Sequence, residues 1–180
     1  MADYPRWSYY PTRNRPPNWV SDFISTVQVA KDKIDSASVS GLTSNKVLAI
    51  LRPHLLPLGY IVEEDSTKAK RIRRPVLFGE QGKERVAYHV DAVHDQLGIL
   101  VEIEAGRGAR GNAVYRDLIR SSLVVDAEYL CLGVMSVYPH RSGQKNVGVA
   151  GYVEAKNALH AIYASGRLTL AFKGILLFGY

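Results

Sequence analysis

The chain has 180 residues, 47% of them apolar and 22% charged, with 23 Lys and Arg against 17 Asp and Glu for a formal charge of +6. That length suits one domain able to bury roughly 70% of its unfolded surface, and the composition excludes a disordered or coiled-coil chain. The single cysteine, Cys131, excludes a disulfide framework and a cysteine-based zinc site, while the positive charge admits a polyanionic partner.

Residues 1–17 are expected to form a basic, aromatic arm. Pro5, Pro11, Pro16 and Pro17 alternate with Arg6, Arg13 and Arg15, a mixture that resists helix and sheet interior alike. It reads either as a strap over nucleic acid or as an extension packed on its own protein. It lacks the apolar stretch of a signal peptide, and no apolar run in the chain reaches the roughly 18 residues that span a bilayer. A cytoplasmic protein without membrane contact is therefore expected.

Residues 18–180 are expected to form one domain. Val20, Ile24, Val27 and Ile34 recur at helical spacing from Asn18 to about Asp35, and Val47, Leu48, Leu51 and Leu55 form a second stripe, with Ser44 as N-cap and Pro53 near its end. Four antiparallel strands are predicted next, over 60–64, 75–79, 85–93 and 98–104. A helix from Asn112 to about Ala127, a buried strand LCLGVMSVY, a helix over 152–165 stopped by Gly166 and a strand near 174–179 complete the order. This alternation points to an α/β or α+β layered domain.

The chemistry concentrates in the third and fourth strands. A turn centred on Gln96 and Leu97 sets Asp91 opposite Glu102. Strand alternation then puts Glu102 and Glu104 on one face, Ile99, Val101 and Ile103 on the other, and His89 opposite Glu104. Two carboxylates about 5 Å apart repel by roughly 3 kcal/mol at an effective dielectric of 20. Such a face is either wet or holds a cation. Mg²⁺ takes one or two carboxylates together with waters and phosphates, and a bound ion there could promote phosphodiester cleavage. Glu104 could orient the water or take its proton. The plainer alternative is an amphipathic hairpin whose polar face meets solvent.

Asp91, ten intervening residues, then Glu102-Ile103-Glu104 at the end of an apolar strand before a helix, resembles the core of the PD-(D/E)XK nuclease superfamily. The E-x-E form, with Glu104 where lysine is usual, and the downstream Arg116-Asp117-Leu118 are similar to the BamHI and BglII type of type II restriction endonuclease. The resemblance implies a restriction-endonuclease-like α/β fold: a mixed central sheet, with an antiparallel hairpin plus a parallel strand, flanked by helices. It implies a Mg²⁺-dependent DNA endonuclease, with Asp91 and Glu102 as metal ligands, Glu104 in the lysine's place, Glu64 as an assisting acid, and a homodimer. Val90 replaces the proline of the motif, and little chain remains for target recognition. A nuclease-fold protein that binds DNA without cutting it is the alternative.

Two basic groups could hold the DNA backbone. Arg107, Arg110 and Arg116 flank a helix N-terminus, and Lys68, Lys70, Arg71, Arg73 and Arg74 crowd a loop expected between strands. Gly106 to Gly111 also spell G-x-G-x-x-G. That turn follows a hairpin strand carrying Glu102 and Glu104, which would repel a pyrophosphate, so no nicotinamide cofactor is expected.

Overall fold

The computed structural model describes residues 4–64, 71–106, 112–142 and 145–180, and for 139–142 and 145–147 the backbone only. Its central sheet has six strands. From one edge to the other these are β1 (Arg6–Tyr10), β10 (Gly174–Gly179), β7 (Tyr129–Val134), β6 (Ile99–Glu104), β5 (Ala92–His94) and β2 (Ile61–Val62). The strands β10, β7 and β6 run parallel, while β1, β5 and β2 are antiparallel to their neighbours. The protein is thus a mixed α/β domain built on a sheet of both strand senses.

Strand alternation splits the core into two layers. Val101, Ile103, Cys131, Leu176 and Phe178 point to one face, where α1 (Asn18–Val29), α2 (Lys31–Ile34) and α3 (Ser44–Leu55) contribute Phe23, Val27, Ile34, Val47 and Leu51. Leu100, Leu130, Leu132, Ile175 and Leu177 point to the other, against Val114 and Leu118 of α4 (Ala113–Ser122) and Ala155 and Leu159 of α5 (Gly151–Ser165). Gly133 makes room within the first layer for its neighbours in the sheet: a Cβ there would lie 2.5 Å from the Phe178 ring and 2.8 Å from Ile103.

Most predicted elements are present, with instructive differences. The N-terminal segment contributes β1 at the sheet edge, bracketed by Pro5 and Pro11, with Tyr9 and Tyr10 buried. An edge position tolerates prolines that an interior strand would not. Thr43, not Ser44, caps α3, accepting the Lys46 N–H at 3.3 Å, and Pro53 lies inside the helix. Gly166 ends α5 in the left-handed region as expected. In contrast, α4 stops at Ser122, ahead of Asp126 at φ +67°.

The four-strand meander is divided. Residues 85–93 do not form one strand: β3 (Ile72–Phe78) and β4 (Glu84–Val90) make a separate two-stranded ribbon, and β5 begins only after Asp91. His89 consequently pairs with Arg73 in the ribbon and not with Glu104. A second ribbon, β8 (Tyr138–Ser142) with β9 (Lys145–Val149), was not anticipated by the hydrophobic pattern. Among the described residues no helix is long and apolar enough to cross a membrane.

Candidate active site

The β5–β6 hairpin has the register expected of it. Ala92, Val93 and His94 face Val101, Leu100 and Ile99, and the reversal runs through a 3₁₀ turn (Asp95–Leu97) closed by Gly98 at φ +62°. The ladder ends at Ala92 and Val101; the same register carried one residue further would set Asp91 against Glu102, and there Asp91 meets β6 through its side chain. The Asp91 carboxyl accepts the Ile103 N–H at 2.7 Å, and its carbonyl accepts the Glu63 N–H at 2.8 Å. A side chain thus takes the backbone donor of β6 just where β4 has turned away, which explains why the strand breaks at this residue.

Glu102 and Glu104 share the face of β6 that meets α4. Opposite them the buried side of α4 carries Val114, Asp117, Leu118 and Ser121, one helical stripe with an acid in it. Asp117 is only 4% exposed. Arg116 beside it donates from Nε to Asp117 Oδ1 at 2.9 Å and from Nη2 to Glu104 Oε1. The Tyr180 hydroxyl donates to the Glu104 carbonyl at 3.0 Å and steadies the end of β6.

Burial dominates the electrostatics. It raises Asp91 to about 6 against the stabilising Ile103 N–H, and the charges of Glu63 and Asp117 add to the rise. It holds Glu102 well above the ordinary carboxylate range, reinforced by Asp91 and Asp117 and opposed by Arg120. Glu104 reaches about 8, first through burial, then through its hydrogen bond with Asp117 and that acid's charge, with Arg116 pulling the other way. Desolvation and like charge both favour the protonated form. The face therefore carries more acid than its own cations neutralise.

Of the predicted site residues, Asp91, Glu102 and Glu104 come together. Glu64 instead pairs with Arg52, and its side chain is 45% exposed. Glu63, whose side chain is 12% exposed, is the acid whose charge reaches Asp91. Tyr60 and Val62 face the α1/α3 layer, and strand alternation turns Glu63 to the side of Glu102; Ile61 between them is apolar too, so the sequence held no signal to choose Glu63 over Glu64. Asp117 and Arg120 were also missed as members of the site. An acid on the apolar stripe of α4 was the clue to Asp117.

Of the proposed DNA contacts, Arg116 lies at the acids. Arg73 and Arg74 belong to β3 and not to a loop; they pair with Glu84 and Asp95, and Arg71 approaches Glu63 at 3.9 Å. Lys68, Lys70, Arg107 and Arg110 lie outside the described residues. A cleft of about 690 Å³ lined by Tyr10, Arg13, His160 and Tyr163 sits at the opposite end of the parallel strands from Glu104.

Among the described residues no three His, Cys, Asp or Glu side chains form a ready-made metal cage. One oxygen of each of two acids already has a donor, Asp91 Oδ2 from the Ile103 amide and Glu104 Oε1 from Arg116. In comparisons with known proteins the chain matches no family model, no curated protein and no solved structure.

Proposed function

We propose that the protein is a Mg²⁺-dependent DNA endonuclease of the PD-(D/E)XK kind. The observation that carries this reading is the convergence of Asp91, Glu102, Glu104 and Asp117 on one largely buried face, with three of these carboxyls raised by burial and mutual repulsion. A fold gains nothing in stability from such a cluster. The order α3, antiparallel β5–β6, α4, parallel β7 also follows the plan of that superfamily's core.

The donor set suits a hard divalent cation, since it offers crowded carboxyl oxygens whose ionised forms repel one another until a cation takes the place of their protons. Asp91 and Glu102 would hold it, and Mg²⁺ needs no more than one or two protein carboxylates. When bound, the ion supplies Lewis-acid stabilisation of a phosphoryl oxygen and acidifies water. The chain's own part is to orient and deprotonate. The Ile103 amide fixes the Asp91 carboxyl, and Glu104 accepts a proton at its carboxylate. Arg116, about half exposed at the rim, meets a backbone phosphate. On this reading DNA is the partner, two chains act as a homodimer, and the setting is the cytoplasm.

A second reading, a nuclease-fold protein that binds DNA without cutting it, draws on one specific contact: the Glu104 carboxylate is occupied by Arg116. Incubating the purified chain with supercoiled plasmid and Mg²⁺ separates the two. Nicking that Glu102→Ala abolishes supports the enzyme. Retention of DNA that weakens steeply with salt, without cleavage under any divalent ion, would sink it.

A further inference from the structure

One guanidinium is shared by the two acids at the outer edge of the site, and its two grips differ. Arg116 Nε donates to Asp117 Oδ1 at 2.9 Å, and Nη2 makes a longer contact of 3.3 Å with Asp117 Oδ2. Asp117 is fixed on the buried side of α4, so this grip is part of the helix packing. The Nη2 bond to Glu104 reaches instead from a side chain that is 53% exposed to one that is 19% exposed. It lies at the rim, where an incoming ligand can compete for it.

We propose that Arg116 is a transferable counter-ion: hinged on Asp117, its Nη2 edge exchanges the Glu104 carboxylate for the non-bridging oxygens of a substrate phosphodiester. This rests on the nuclease reading above. Carboxylate and phosphodiester are both monoanionic oxygen acceptors of the planar guanidinium fork, so the exchange conserves the charge on the arginine. Its consequence is a built-in guard. Glu104 is neutralised while the site is empty of DNA and is released towards the attacking water only when a phosphate has taken its place. Asp117 is then a positioning residue, acting through Arg116.

The exchange predicts opposite shifts in two binding measurements on Arg116→Ala. Without DNA, calorimetric titration with Mg²⁺ alone should show roughly three- to tenfold tighter binding, because the competing cation is gone. Without divalent ions, a short DNA duplex followed by fluorescence anisotropy should bind roughly tenfold more weakly, with a salt dependence shallower by about one phosphate contact. Arg116→Lys should bind Mg²⁺ like the wild type yet recover only part of the duplex affinity, since it keeps the charge and loses the fork. A merely structural arginine would weaken both ligands together; that result, or unchanged duplex affinity in Arg116→Ala, overturns the proposal. If the wild type takes up Mg²⁺ and nicks plasmid while these shifts are missing, the exchange alone fails. A wild type that takes up no Mg²⁺ overturns both the exchange and the nuclease reading.

Discussion

The two faces of β6 are both withdrawn from water, the apolar one almost completely and the acidic one in part, and they do opposite things to the free energy. On one, Ile99, Val101 and Ile103 are almost wholly out of water and packed against the α1/α3 layer, each contributing about 1.5–3 kcal/mol through burial. On the other, Glu102 and Glu104 lie against α4 beside Asp91 and Asp117, and the same withdrawal from water drives them towards the protonated form. One face holds the fold. The other opposes it, which is expected where a site is kept for a ligand that supplies the missing charge.

Substitutions can set the faces against each other. The largest effect expected is on activity: Glu102→Ala should lower plasmid nicking by roughly a thousandfold or more, with no fall in thermal stability. Ile103→Ala, its neighbour on the dry face, should do the reverse to stability, costing about 2–4 kcal/mol and lowering Tm by roughly 5–15 °C in a thermal melt.

A smaller effect with a defined sign comes from pH. Glu104 is raised from 4.5 to about 8, so its favourable contribution is complete below its unfolded value and is lost as pH rises through about 8. Glu104→Gln should therefore melt like the wild type near pH 4 and be more stable near pH 8, by on the order of 1 kcal/mol. Asp91, raised to about 6, loses its contribution over a lower window in the same sense. The smallest shift expected is from the ion itself. Excess Mg²⁺ should raise Tm by a few degrees near pH 8 and by less near pH 5, where protons occupy the same oxygens, and Glu102→Gln should remove the difference.

Much of this contrast was legible in the residues. Period-two alternation in ILVEIE separates the two faces, and the turn at Gln96 and Leu97 sets Asp91 against Glu102; both follow from strand geometry alone. Helical stripes likewise located α1, α3 and α5. Hydrophobic pattern could not show that RVAYHVDAV changes sheets, because the break depends on the Asp91 side chain bonding to a strand residue twelve positions further on. Nor could it separate Glu63 from Glu64, since β2 is two residues long and the pairing of its end decides which acid turns inward. In the β8–β9 ribbon one strand, YPHRS, carries a proline and the other, KNVGV, a glycine, and such short, mostly polar segments carry little periodic signal. Asp117 was visible as an acid on an apolar stripe, but its meaning required knowing that the stripe faces Glu104.

The most direct test of the charged face uses the backbone amide of Ile103, which donates to the Asp91 carboxyl at 2.7 Å and so reports on that oxygen. Its resonance should be followed by NMR while Mg²⁺ is added near pH 8, above the value of about 6 to which Asp91 is raised. A saturable shift in the wild type that disappears in Glu102→Gln is the predicted result. An amide that does not respond to Mg²⁺, or responds equally in Glu102→Gln, would contradict the claim that Asp91 and Glu102 are held together for a cation.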